Sequence, residues 1–233
     1  MTEVLFVVTG ADHWTLTDGT EHPTGYWAEE LAEPHRIFRE AGFGITLATP
    51  GGVTPTVDRI SLAAAGNNGD EQRARRMAEY LDTIAAELEH PATLETVDVA
   101  GYDVVFVPGG HGPMEDLAVS PAAGTLLTAA LDSGKILGVL CHAPAALLAA
   151  ERPDGSWPFA GYRMTSLTNA EESVNDFAAK APWLVEDRLR ALGADFVTAA
   201  PWSSHVVVDR TLYTGQNPFS SVELAKTLVA AAG

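Results

Sequence analysis

Ile136-Leu137-Gly138-Val139-Leu140-Cys141-His142-Ala143-Pro144 carries the one cysteine of a 233-residue chain. The apolar run over residues 136–140 has the length and texture of a buried strand, and residues 145–150, all alanine or leucine, predict the opening turns of a helix. Pro144 suits an early helical position, where its missing amide donor costs nothing. Cys141 therefore stands at a strand-to-helix corner. Such a corner lifts a side chain clear of an α/β sheet and turns helix N-terminal amides toward it, which lowers a thiol's pKa and stabilises an oxyanion. The competing reading is a free cysteine acting as a small, inert core residue.

The surrounding chain alternates strands and helices. Val4-Leu5-Phe6-Val7-Val8 is a continuous apolar run of the kind found in a parallel strand covered on both faces. Residues 9–24 read as a long polar loop. Trp27, Leu31, Pro34, Ile37, Phe38 and Ala41 recur at helical spacing before Gly42, and residues 45–48 form the next strand. Residues 55–68 show no period, and residues 70–88 predict one surface helix. Residues 103–107 are a third buried strand, broken by Pro108-Gly109-Gly110-His111-Gly112-Pro113. Paired glycines at a strand tip let backbone amides approach a ligand closely, as an oxyanion or carboxylate site would require; most such pairs are only tight turns.

Beyond the corner, residues 162–167 read as a strand leading to Thr168-Asn169-Ala170-Glu171-Glu172, residues 182–192 as a helix, and residues 195–199 as a strand. Asp209-Arg210 between two short β runs signals a hairpin, and residues 220–231 form the closing helix. The pattern predicts one α/β domain over residues 1–233: a doubly wound, mostly parallel sheet flanked by helices (flavodoxin-like), with an antiparallel edge hairpin. Ligands collect at the carboxyl ends of such strands, where Thr9, Gly109-Gly110 and Cys141 all fall.

Composition narrows the function classes. Lys and Arg number 14 against 31 Asp and Glu, a formal charge of -17, so nucleic acid and anionic membranes are repelled and neither is expected as a partner. A lone cysteine excludes an internal disulfide, the N-terminus lacks the pattern of a signal peptide, and no apolar run approaches the length of a membrane helix, so a cytoplasmic location is expected. His13, His22, His35, His90 and His205 show no metal-ligand spacing and read as loop and surface residues; no metal is expected.

Pro108-Gly109-Gly110-His111-Gly112 followed by Cys141-His142-Ala143-Pro144, with Glu30 early in the first long helix, resembles the ThiJ/PfpI superfamily of class I glutamine amidotransferase-like proteins over almost the whole chain. The long loop before Gly25, Pro34, the 168–172 segment, Pro201-Trp202 and Thr214-Gly215-Gln216-Asn217-Pro218 are similar to its branch of small heat-shock chaperones and glutathione-independent glyoxalase III enzymes. The resemblance implies Cys141 as nucleophile, His142 as its acid/base, Glu172 as the carboxylate orienting His142, and Glu30 as the acid beside the sulfur. It places an oxyanion or substrate site at the amides of Gly110 and His142, with His111 at its rim. It further implies a homodimer and no cofactor. Glu171 remains a rival to Glu172. Without the resemblance, Glu30 would read as part of a solvated face with Glu29 and Glu33. Ala143 departs from the family's usual glycine and narrows the space beside the thiol.

Three function classes follow. One is a cofactor-free thiol enzyme converting a small aldehyde substrate such as methylglyoxal to lactate through a hemithioacetal on Cys141. Another is a cysteine hydrolase of the amidase, peptidase or deglycase type. True amidotransferases carry a downstream His-Pro-Glu segment, whereas His205 here precedes Val206 and Val207. The third is a stress chaperone or redox sensor using an apolar patch or oxidation of Cys141. Trp14, Trp27 and Trp202 are candidates for pocket walls.

Overall fold

Val4, Leu5, Phe6 and Val7 have no solvent exposure, as a strand covered on both faces requires. In the computed structural model, which describes residues 1–174 and 178–233, they belong to β1 (Glu3–Val7). In chain order there follow β2 (His13–Thr15), β3 (Glu21–Pro23), α1 (Ala28–Glu40), β4 (Gly44–Thr49), α2 (Glu71–Thr83), α3 (Ala85–Glu89), β5 (Ala92–Thr93) and β6 (Val104–Val107). The remainder comprises α4 (Gly112–Glu115), α5 (Pro121–Asp132), β7 (Ile136–Leu140), β8 (Arg163–Met164), α6 (Asn169–Val174), α7 (Val185–Ala191), β9 (Asp195–Phe196), β10 (Val206–Asp209), β11 (Leu212–Gly215) and α8 (Ser221–Ala232).

The main sheet has seven strands in the order β10-β11-β7-β6-β1-β4-β5. Only β10 and β11 pair antiparallel, so the sheet is a doubly wound parallel one with an antiparallel edge. Because successive side chains on a strand point to opposite faces, β1 divides its residues between two cores. Leu5 and Val7 join Val105, Val107, Leu137 and Val139 under α5. Val4 and Phe6 join Phe106 and Leu140 under α1 and α8, where Leu31, Phe38, Leu224 and Leu228 cover them. Truncating one of the large buried side chains, such as Phe6, removes about 3–5 kcal/mol. Gly138 lets α8 seat on β7: a Cβ there would meet Leu228 Cδ1 at 2.5 Å and Phe106 Cδ2 at 2.9 Å.

Several local expectations are corrected. The loop over residues 9–24 contains the β2–β3 hairpin, in which Trp14 pairs with His22. The helix expected over residues 70–88 breaks at Ile84, whose backbone leaves helical geometry at φ −112°, ψ 15°. Residues Ala143–Ala149 form a 3-10 helix. Only Arg163–Met164 of the expected 162–167 strand is extended, and it pairs with β9 outside the main sheet. The segment carrying Glu171 and Glu172 is helical, as α6. Among the described residues no helix is long and apolar enough to cross a membrane.

Candidate active site

β1, β6 and β7 are adjacent, so their carboxyl ends bring the Gly109-Gly110 turn and Cys141 to one edge of the sheet. Cys141 has φ +60°, a conformation that costs a residue with a side chain about 1–3 kcal/mol and persists only when its surroundings hold it. They do. Its N–H donates to Gly215 O at 2.9 Å, at the end of β11, and its carbonyl accepts from Leu167 N at 2.9 Å. The sharp corner is the sequence expectation realised, with the thiol buried at 4% exposure.

His142 follows directly. Its Nδ1 lies 3.5 Å from Cys141 Sγ, and its Nε2 lies 2.7 Å from Glu172 Oε2. An ionised carboxylate only accepts hydrogen bonds, so Nε2 carries the proton, and in the neutral ring Nδ1 faces the thiol as an acceptor. The other oxygen of Glu172 takes a second imidazole: His111 Nε2 donates to Oε1 at 3.0 Å. Burial would raise the Glu172 pKa, but His142 and His111 together hold it well below the usual carboxylate range. Burial, then the nearby His142 charge, lower His111. The ring of His111 is 4.2 Å from that of His142 and stacks on Trp14 at 4.9 Å.

Glu171 occupies a different role. Its Oε1 accepts from Trp202 N at 2.8 Å, Asn217 Nδ2 at 2.8 Å and Gln216 Nε2 at 3.2 Å, while Oε2 accepts from the amide and hydroxyl of Thr168. It thereby ties the start of α6 to the 202 and 216–217 segments. On a helix, adjacent acids diverge by the turn angle, and of the two it is Glu172 that reaches His142.

Glu30 lies in the first turn of α1 and has no exposure. Trp27 N–H donates to Gly109 O at 2.9 Å, and Gly109 N–H donates back to Glu30 Oε2 at 2.8 Å. This reciprocal pair clamps the beginning of α1 to the tip of β6. Burial pushes the Glu30 carboxyl up to about 8, against opposing contributions from Cys141 and the Gly109 amide. Its buried Oε1 makes no hydrogen bond among the described residues. The solvated-face reading fails for Glu29 as well, which is buried and paired with Arg73.

One expectation about the thiol is reversed. Burial, followed by the charge of Glu30, pushes Cys141 well above its ordinary value, against an opposing pull from the Gly110 amide. Two anions this close in a dry site oppose each other, so the Cys141–Glu30 pair holds on to a proton. Burial at the corner, reinforced by Glu30, outweighs the pull of the helix amides.

Of the expected oxyanion amides, Gly110 N–H donates toward the sulfur, and the His142 amide lies against the neighbouring Gly109, where a Cβ would stand 2.9 Å from His142 N. His111, expected at the rim of the oxyanion site, lines an adjoining cavity, and its bond to Glu172 is invisible in the sequence because the two are 61 residues apart. His35, expected at the surface, is fully buried against Tyr80 and Glu87. Candidate ligand atoms of His111, His142 and Glu172 all lie within 4.8 Å of one another. Those three could hold a metal ion, although the two imidazole–carboxylate hydrogen bonds already account for their spacing.

A family model described as the DJ-1/PfpI family matches residues 24–231. The chain is 33% identical over 189 residues to the Bos taurus glutamine amidotransferase-like class 1 domain-containing protein 1, covering 81% of this chain and 80% of the relative. It is 30% identical over 235 residues to the protein/nucleic acid deglycase HchA of Pseudomonas aeruginosa, covering 96% and 78%. Against glyoxalase 3 of Candida albicans the identity is 27% over 241 residues, covering 99% and 98%. The crystal structure of glyoxalase III from Candida albicans aligns with a TM-score of 0.84 at 24% identity, covering 100% of this chain and 98% of that one, a likeness of fold. The chain belongs to the DJ-1/PfpI family.

Proposed function

We propose that the protein is a cofactor-free glyoxalase of the glutathione-independent type, converting methylglyoxal or a related 2-oxoaldehyde to the 2-hydroxy acid through Cys141. The observation that carries this reading is the placement of two proton-transfer groups at one sulfur: His142 Nδ1 at 3.5 Å and the buried carboxyl of Glu30. Relatives named glyoxalase 3 and deglycase support the same chemistry.

In the proposed cycle His142 takes the thiol proton as sulfur attacks the aldehyde carbon, forming the C–S bond, and the proton passes to the new hydroxyl. Glu172 stabilises the imidazolium formed in between and fixes the ring. The C–H proton of the hemithioacetal carbon is then removed and a proton is delivered to the neighbouring ketone carbon, while the hydroxyl proton on the first carbon passes to the ketone oxygen, leaving a thioester carbonyl beside a new alcohol. The first carbon is thereby oxidised and the second reduced, with no external oxidant. Glu30, with a pKa of about 8, is suited to both halves of that transfer near neutral pH. Gly110 N–H stabilises the oxygen that gains charge. Water then cleaves the thioester, releasing the acid and restoring the thiol.

The relative named deglycase favours a second reading, in which the aldehyde carbon arrives as an amine adduct, sulfur displaces the amine as the C–S bond forms, His142 passes the thiol proton to the leaving nitrogen, and the same proton transfers and hydrolysis follow. A peroxide-sensing role is disfavoured, because sensors rely on an exposed, low-pKa thiolate, whereas Cys141 is buried with a raised pKa. The test is lactate formation from methylglyoxal without glutathione. Wild type should form lactate and Cys141→Ala should not; equal rates would exclude a role for the thiol.

A further inference from the structure

Beside the relay lies a cavity of about 470 Å³ lined by Trp27, Ile60, His111, Trp202 and Phe219, among others. That volume is within the 300–1,000 Å³ typical of sites for whole small molecules. A three-carbon aldehyde would leave most of these walls touching water. The cavity lies one ring away from the reacting groups, since His111 is one of its walls and the ring of His111 lies 4.2 Å from that of His142. Trp202 is half-buried against the same apolar cluster that contains Cys141.

The aromatic wall is also a built feature. Trp202 has φ +61°, unfavourable for a residue with a side chain, and its N–H is held by Glu171 Oε1 at 2.8 Å. The same carboxylate binds Asn217, next to the wall residues Pro218 and Phe219. Glu171 and Glu172 are consecutive on α6, so one turn of helix positions both the imidazole relay and the wall of the cavity. Glu171 thus fastens Trp202, in its left-handed backbone conformation, into the wall of the cavity.

We propose that the site selects 2-oxoaldehydes whose second substituent is an aromatic ring, and that Trp202 is the residue that sets this preference. The proposal rests on the glyoxalase reading for its reaction, and on the cavity alone for its specificity. The aldehyde end meets Cys141 while the ring lies between Trp27, Trp202 and Phe219, in the offset or edge-on contacts that aromatic groups favour. The chemistry is unchanged: phenylglyoxal becomes mandelate by the same internal transfer, as methylglyoxal becomes lactate.

The experiment compares kcat/KM for phenylglyoxal and methylglyoxal without glutathione in wild type, Trp202→Phe and Trp202→Ala. The expected wild-type ratio is about tenfold or more in favour of phenylglyoxal, within the range that added apolar contact gives. Trp202→Phe should keep most of that preference, and Trp202→Ala should bring the ratio toward one, chiefly through KM. Product binding is read separately, as protection of Cys141 from alkylation by mandelate or by lactate, with circular dichroism confirming that the variants fold. Turnover of methylglyoxal without preference for phenylglyoxal overturns the proposal and leaves the glyoxalase reading standing. If neither aldehyde is turned over, the glyoxalase reading fails. Protection by mandelate at about tenfold lower concentration than lactate would then still support an aromatic site, and equal protection would overturn it.

Discussion

Glu172 accepts one imidazole on each of its two oxygens, His142 at 2.7 Å and His111 at 3.0 Å. An amide in its place offers one acceptor and one donor group, so one of the two rings would meet an N–H instead of an oxygen lone pair. Glu172→Gln should therefore lower turnover by about 100- to 10,000-fold, the range for a disabled acid/base. Glu171→Gln should instead act first on stability, by about 1–3 kcal/mol, because it disrupts a buried acceptor of several donors. Steady-state rates and denaturant titrations of both variants check this; comparable losses of turnover would contradict the division of labour.

The thiol should be slow to ionise. Burial and the Glu30 carboxylate both raise its pKa, so the pH midpoint for alkylation of Cys141 is expected above that of free cysteine. Glu30→Gln removes the negative charge but keeps the shape, and the midpoint should move down. An unchanged or higher midpoint in that variant would mean that Glu30 serves the thiolate as a proton donor in the resting state.

Stability should respond to pH through the same carboxyl. The Glu30 pKa is raised from 4.5 in the open chain to about 8 in the folded one. Its contribution is therefore fully present below pH 4.5 and is lost as pH rises toward 8, because the unfolded chain releases a proton that the folded one keeps. Gln does not titrate. Between pH 5 and pH 8 the stability of Glu30→Gln should improve relative to wild type by about 3 kcal/mol. Chemical denaturation at the two pH values measures the difference, and a constant difference would place the Glu30 pKa near its ordinary value.

Gly109 is a steric requirement. A Cβ there would stand 2.5 Å from Leu140 O and 2.7 Å from Glu30 Oε2. Gly109→Ala should cost about 1–3 kcal/mol, as overpacking does, and should displace Glu30 from the sulfur, so that activity falls further than stability. A variant with full activity would show that the clamp between α1 and β6 is dispensable.

The parallel sheet was legible because its strands are uninterrupted apolar runs ended by glycine, proline or the Cys141 corner. The β2–β3 hairpin was hidden because its strands are three residues each, in a polar stretch with no usable period. Cys141, His142, Glu30 and Glu172, named through motif resemblance more than through local chemistry, come together in the structure. The sequence did not reveal which neighbours share a carboxylate. His111 and Glu171 owe their partners to contacts across 61 and 31–46 residues, which no local pattern encodes. The thiol's pKa departs from expectation for a related reason: helix polarity is visible in a sequence, but the depth to which the corner and its neighbouring carboxyl are buried is not.

In the proposed cycle Glu30 moves a proton while Cys141 holds the substrate, and lactate formation from methylglyoxal by Glu30→Gln, without glutathione, isolates that step. An amide cannot gain and lose a proton at each turnover, so the rate should fall by about 100- to 10,000-fold in a protein that remains folded and alkylatable at Cys141. Retention of most of the wild-type rate would contradict the account and leave His142 alone to carry the proton transfers.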